Sequence, residues 1–178
     1  MKFIIVLICI SIMSCSTNND EAQYPDCIEQ PSELKVSKGC GNVFVYQFLD
    51  STKALVLTID ISTINLTEEC QTINLENQQD QITVRLEEAG TSPDSIYFNY
   101  CNDVAYINQG KLKKYNATKG IVTFSVSYDN PIKDPIWESN YNITIEIQDL
   151  YIYDYANNLK MTIDRIVFWD VNVGWLPG

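Results

Sequence analysis

Beyond residue 40, apolar and polar residues alternate with a period of two in four separate segments. Every second residue is apolar from Leu55 to Ile61, Ile82 to Leu86, Val122 to Tyr128 and Ile143 to Ile147. This pattern is typical of antiparallel strands that bury one face and expose the other. No segment carries the apolar stripe of period 3.6 that an amphipathic helix needs. The chain is therefore predicted to be an all-β protein.

Polar segments with turn-forming residues separate these strands. They include Asp50-Ser51-Thr52-Lys53, Ala117-Thr118-Lys119-Gly120 and Asn157-Asn158, and hairpin turns favour Asp, Asn and Gly. Short strands at fairly regular spacing are typical of a β-sandwich or a β-barrel. Between these two we favour an antiparallel β-sandwich of the Ig-like or jelly-roll-like kind, formed by one domain over residues 27–178.

The last predicted hairpin also gives an expected pairing of residues. A two-residue turn at Asn157-Asn158 pairs Ala156 with Leu159, and Tyr153 with Thr162. Farther from this turn, the apolar positions of the first strand move to the other face. We therefore expect a β-bulge, or the passage of the strand from one sheet to the other, near Gln148-Asp149.

One face of this hairpin carries a row of tyrosines, which we take as the candidate binding surface. Aromatic side chains on a sheet can stack on sugar rings or anchor a protein partner. The alternative interpretation is that tyrosine is common in strands and tolerates exposure. The row consists of Tyr151, Tyr153 and Tyr155, and the opposite face, with Leu150 and Ile152, is expected to face the core.

Charge and residue types narrow the classes of function. The net charge is −11, whereas nucleic-acid binding requires basic patches, so we expect no nucleic-acid partner. The chain has no histidine, which removes the usual general base near neutral pH and the commonest metal ligand. A basic cluster is interpreted as a solvated face, and it comprises Lys111, Lys113, Lys114 and Lys119.

Acidic residues are the remaining candidates for catalysis or metal binding. Glu68-Glu69, Glu87-Glu88, Asp149 and Asp154 could supply the two carboxylates of glycoside hydrolysis, but adjacent residues of a strand point to opposite faces. Loop carboxylates could bind calcium, although the Asp-x-Asp-x-Asp-Gly spacing is missing. We expect a protein that is not an enzyme and has neither a cofactor nor a metal site.

Four cysteines of the predicted domain suggest two disulfides in an exported chain. Pairing of neighbours along the chain closes the shorter loops, so we favour Cys27–Cys40 and Cys70–Cys101 among the three possible connectivities. A zinc site is the alternative, but the four residues form no Cys-x-x-Cys pair and no histidine could assist.

The N-terminus has the layout of a secretory signal. Lys2 precedes an apolar run from Phe3 to Met13 that is too short to span a bilayer as a helix. The residues Ile12-Met13-Ser14-Cys15 that end this run resemble a bacterial lipobox. The resemblance implies that residues 1–14 are a lipoprotein signal peptide and that the new N-terminal residue, Cys15, receives lipid and acyl chains. Several such chains anchor a protein firmly in a membrane.

Residues 15–26 are expected to form the lipidated cysteine and a flexible tether. The polar run Ser16-Thr17-Asn18-Asn19-Asp20-Glu21 resembles the export tag of surface lipoproteins in the Bacteroidetes group. Two triplets resemble the O-glycosylation pattern of that group, Asp50-Ser51-Thr52 and Asp94-Ser95-Ile96. The resemblance implies an outer-membrane location, with the domain facing the periplasm or the cell surface.

These observations favour a lipid-anchored binding or interaction module without enzymatic activity. The membrane is its expected partner through the anchor, and a glycan or an envelope protein is expected at the tyrosine row. The alternatives are a purely structural envelope lipoprotein and, as the weakest, a carbohydrate-active enzyme.

Overall fold

The computed structural model describes residues 27–62, 64, 69–89, 98, 100–101, 112–128, 141–154, 156 and 159–174. Within these ranges the chain forms eight strands and no helix, and therefore no helix that could cross a membrane. The strands are β1 (Ser37–Cys40), β2 (Phe44–Phe48), β3 (Lys53–Ile59), β4 (Gln71–Asn74), β5 (Ile82–Glu88), β6 (Lys113–Ser127), β7 (Tyr141–Asp154) and β8 (Leu159–Val173).

All the strands belong to one antiparallel sheet, which confirms the prediction of an all-β antiparallel fold. The strand order is β1-β2-β3-β5-β6-β7-β8, and β4 pairs with the later part of β6. Because β8 also contacts β1 and β2, the sheet coils until its two ends approach each other. The result is a nearly barrel-shaped sheet whose first half (β1, β2, β3 and β5) faces its second half (β4, β7 and β8).

Strand β6 joins the two halves and contradicts one predicted turn. Its first residues pair with β5 and its later residues pair with β4, so Ala117 to Gly120 lie inside a strand. The register with β7 shifts on both sides of Lys119. Gly120 has φ 152°, and a Cβ there would lie 3.2 Å from Leu75 Cδ1 and 3.3 Å from Leu150 Cδ1. A glycine bend with irregular pairing replaces the turn, because the strand must pass from one half of the sheet to the other.

Strand β7 changes its buried face where the sequence predicts. Ile147 and Leu150 are both fully buried, whereas Gln148 and Asp149 between them are exposed. Asp149 has φ 51°, a left-handed conformation that Asp tolerates better than most residues. The expected irregularity near Gln148-Asp149 is thus confirmed, and it keeps an apolar side chain on the core along both parts of the strand.

The β7–β8 hairpin has a different register from the predicted one. Tyr151 pairs with Thr162 and Tyr153 with Lys160, two residues away from the expected pairing. The chain leaves β7 earlier because Asp154 Oδ1 accepts a hydrogen bond of 2.8 Å from the Ala156 amide, as in an Asx turn. A shift of two residues keeps every side chain on its face, so the tyrosine face remains as predicted.

The core lies between the two halves of the sheet and uses the apolar faces that the alternation predicts. Leu55, Leu57 and Ile59 of β3 pack there with the alternate residues of β5, β6 and β7. Among the described residues, the largest fully buried side chains come from both halves, and they include Leu55, Leu57, Leu75, Ile82, Leu86, Phe124, Tyr141, Ile143, Ile145, Ile147, Leu150 and Phe168.

The two ends of the sheet meet at what we call the seam, where β1 and β2 lie beside β8. At one end the seam is closed, because the Gly174 amide donates a 2.7 Å hydrogen bond to the Gly41 carbonyl. A Cβ on Gly39 would lie 2.7 Å from Val173 Cγ1 and 2.9 Å from Val171 Cγ1. Glycine at position 39 therefore permits the close approach of β1 to the end of β8.

The disulfides join Cys27 to Cys70 and Cys40 to Cys101, so the predicted pairing of chain neighbours is wrong. Cys40 ends the edge strand β1, and its bond holds the segment of Phe98 and Tyr100 against the outer face of β2. Cys27 is tied to the residue just before β4. Each bond fixes a segment against the sheet, so tertiary position, and not loop length, determines the connectivity.

Candidate functional site

The outer face of the β7–β8 hairpin presents the predicted tyrosines. Tyr151 and Tyr153 are half-buried, and their rings are stacked with centroids 6.2 Å apart and an interplanar angle of 13°. Leu150 and Ile152, which alternate with them, are buried in the core. The structure thus brings two of the three row residues together on a supported strand, and Tyr155 lies outside the described residues.

Two lysines flank this pair of rings. Lys160 Nζ lies 5.8 Å from the centroid of the Tyr151 ring, within the range of a cation–π interaction. Lys119 is the β6 partner of Tyr151, and its Nζ lies 2.8 Å from Glu76 Oε1. The hydrogen bond and the charge of Glu76 raise the pKa of Lys119, so this lysine stays charged. Aromatic rings beside cations can contact a sugar or an acidic group.

Among the residues with described positions, the other lysines of the predicted basic cluster do not form a separate basic surface. Lys114 Nζ lies 3.7 Å from Glu87 Oε1, and Lys113 is exposed at the start of β6. Lys119 is paired with Glu76 as described above. Lys111 and the proposed lipidation site Cys15 lie outside the described residues.

Among the candidate acids with described positions, Glu87 is the most deeply buried. Its side chain is 1% exposed, and Arg85 Nε lies 2.6 Å from its Oε1. The Tyr100 hydroxyl donates a short hydrogen bond to Oε2. Burial and the neighbouring Glu87 carboxylate raise the pKa of Tyr100 far above its usual value. This glutamate is therefore surrounded by its own partners and is covered by the segment that carries Tyr100.

The remaining candidate acids lie in separate environments. Glu88 faces Lys53, with 3.8 Å between Nζ and Oε1. Asp149 occupies the irregular part of β7, and Asp154 accepts the hydrogen bond from the Ala156 amide. Glu69 is exposed, and Glu68 lies outside the described residues. Among the residues with described positions, no group of three or more His, Cys, Asp or Glu side chains could hold a metal ion.

A second candidate site, which the sequence reasoning missed, is a cleft at the open end of the seam. Beyond the closed end, β8 separates from β2 and leaves a cavity of about 430 Å³. The closed and open parts of the seam are separated by an irregularity in β8. The register with β7 shifts there, and Asp170 has φ 50°. We call this cavity the seam cleft, and it is lined by Pro31, Glu33, Lys35, Gln47, Leu49, Met161, Ile163, Arg165, Ile166 and Val167.

The seam cleft contains an unusual buried amide. Gln47 is only 2% exposed, and its Oε1 has no hydrogen-bond partner among the described residues. The Oγ of Ser37, the cross-strand partner of Gln47, likewise has no hydrogen-bond partner among the described residues. A signal for this site was present in the sequence, because Gln47 shares a face with the buried Val45 and so places a polar group where the alternation expects an apolar one.

Comparison of the chain with protein-family models, with curated proteins and with solved structures finds no match.

Proposed function

We propose that this chain is a lipid-anchored binding module of a bacterial outer membrane that has no enzymatic activity. The Tyr151–Tyr153 face would contact a glycan or an envelope protein at the periplasmic side or at the cell surface. The observation that carries this proposal is the pair of stacked, half-buried rings with Lys160 beside them. Such rings offer apolar area together with hydroxyl groups, which suits contact with a partially polar partner.

The position of the two tyrosines supports a binding role because their strand is held firmly. Leu150 and Ile152 are 1% and 0% exposed, so the opposite face of the same strand is locked in the core. The Tyr151 carbonyl also accepts a 3.3 Å hydrogen bond from Thr118 Oγ1. A contact surface that is ordered before binding loses less conformational entropy when its partner binds.

The anchor rests on the lipobox-like residues that end in Cys15. Replacing Cys15 by alanine is expected to move the protein from the membrane fraction to the aqueous fraction, since no diacylglycerol can be attached. Globomycin, which blocks removal of lipoprotein signal peptides, should make the precursor of the unmodified chain accumulate. If globomycin does not make the precursor of the unmodified chain accumulate, the lipoprotein hypothesis is wrong.

Binding at the tyrosine face is tested by glycan arrays and by capture of envelope proteins with the full chain. Tyr153→Ala should reduce binding about tenfold because it removes one ring of the pair, whereas Tyr153→Phe should retain most of it. Phe48→Ala is the control, since Phe48 is an exposed ring (43%) on β2. Failure to bind any glycan or envelope protein would contradict the proposal and favour a purely structural lipoprotein.

A further inference from the structure

We infer that the seam cleft is a binding site for a small amphipathic molecule. This molecule has an aliphatic body, a hydrogen-bond donor at its inner end and a carboxylate at its outer end. The inference goes beyond the proposed function, because the cleft is lined by residues other than those of the tyrosine face. Its volume of about 430 Å³ lies within the range of small-molecule pockets.

The apolar walls of the cleft favour a ligand with an aliphatic body. Met161, Ile163 and Ile166 belong to the hydrophobic cluster or pack against it, and all three also line the cleft. Leu49 extends this apolar surface on the side of β2. An alkyl chain placed between β2 and β8 would therefore continue the core and remove apolar surface from water.

The buried amide of Gln47 favours a hydrogen-bond donor at the inner end of the ligand. Gln47 Oε1 is a hydrogen-bond acceptor without a partner among the described residues, and a buried acceptor in that state is unfavourable. Only a donor can satisfy it, such as a hydroxyl or an N–H group. The terminal torsion of glutamine is broad, so its amide can turn toward a ligand without leaving a preferred rotamer at χ1 or χ2.

The lining contains two cations, and one of them is available to meet a carboxylate at the outer end of the ligand. Arg165 is fixed there, since its Nε donates to Glu146 Oε1 at 2.5 Å and its Nη2 donates to the Glu29 carbonyl at 2.6 Å. Glu146 already balances that charge. Lys35 is exposed and lines the same cleft, and it has no ion pair with any residue whose position is described. Glu33 also lines the cleft and is exposed, so the carboxylate has to lie nearer to Lys35 than to Glu33. In a chain with a net charge of −11, Lys35 is the cation that such a head group would meet.

Three ten-carbon probes separate these contributions: 10-hydroxydecanoate, decanoate without the donor, and 1,10-decanediol without the carboxylate. Their affinities are measured by titration calorimetry on the full chain in lipid nanodiscs, with empty nanodiscs as the blank. We expect 10-hydroxydecanoate to bind about tenfold more tightly than decanoate, which corresponds to one additional buried hydrogen bond. Equal affinities for these two probes, or no binding of either, would overturn the inference without the use of any variant.

Two variants then test which residue binds the hydroxyl group of the probe and which binds its carboxylate. Gln47→Leu keeps the size of the side chain and should lower the affinity for 10-hydroxydecanoate to that for decanoate. Lys35→Ala should lower the affinity for both carboxylate probes and leave the affinity for 1,10-decanediol unchanged. Tyr153→Ala should leave all three affinities unchanged, which distinguishes this site from the tyrosine face. An unchanged preference for 10-hydroxydecanoate in a folded Gln47→Leu variant would exclude Gln47 as the acceptor and overturn the inference.

Discussion

Replacing both Cys40 and Cys101 by serine is expected to lower the free energy of unfolding by about 4 kcal/mol. The two residues are 61 positions apart, and a cross-link over a loop of that length restricts the unfolded chain by about that amount in the chain-entropy model. The bond also holds Tyr100 against Tyr46, with ring centroids 4.6 Å apart. Urea denaturation followed by circular dichroism measures the change.

The second disulfide provides a matched control. Cys27 and Cys70 are 43 residues apart, so their double serine variant should lose a similar free energy, again about 4 kcal/mol. It should leave the environment of Tyr100 unchanged, whereas the Cys40/Cys101 variant should increase amide hydrogen exchange in β2 and β3. Peptide mapping without reduction that recovers a Cys27–Cys40 fragment would contradict the connectivity on which both expectations rest.

The cysteine connectivity shows where reasoning from the sequence stops. Loop length along the chain favours Cys27–Cys40, but the structure places Cys40 at the end of an edge strand and Cys27 beside the start of β4. Which residues meet is decided by how the sheet coils, and that depends on many distant pairs at once. The even number of cysteines therefore predicts two bonds, but their partners follow only from the fold.

The periodicity of the strands was the more reliable source, because it records which face of each strand is buried. The alternation from Leu55 onwards and from Ile143 onwards identifies β3 and β7 and their core faces. It also reveals the change of face near Gln148-Asp149, since two apolar runs of opposite parity adjoin there. Such parity is a local property, and a single sequence is sufficient to show it.

Two other features depend on what the chain must do in three dimensions. The residues Ala117 to Gly120 have the composition of a turn, yet they form the bend of a long strand because β6 has to serve both halves of the sheet. The seam cleft arises where the first and last parts of the sheet fail to pair, and those parts are far apart along the chain. The only signal of the seam cleft in the sequence is Gln47, a polar residue at a core-facing position.

The Arg85–Glu87 pair should be the most sensitive electrostatic contact of the described chain. Arg85→Met is expected to lower the free energy of unfolding by about 3–5 kcal/mol, because it leaves a buried carboxylate without its closest cation. Lys114 is a poor substitute, since its side chain is 58% exposed and its Nζ lies 3.7 Å away. The Tyr100 hydroxyl alone remains as a close donor to Glu87. Chemical denaturation at neutral pH measures the loss.

Two controls separate the buried charge from lost packing. Lys53→Met removes the partially exposed pair with Glu88 and should change the free energy of unfolding by less than about 1 kcal/mol. The double variant Arg85→Met/Glu87→Gln should recover most of the stability that Arg85→Met loses, because the neutral amide removes the buried charge and its Oε1 can still accept the hydrogen bond of the Tyr100 hydroxyl. If the double variant is as unstable as Arg85→Met, packing by the arginine stem matters more than the charge of Glu87, and the electrostatic explanation for this contact is wrong.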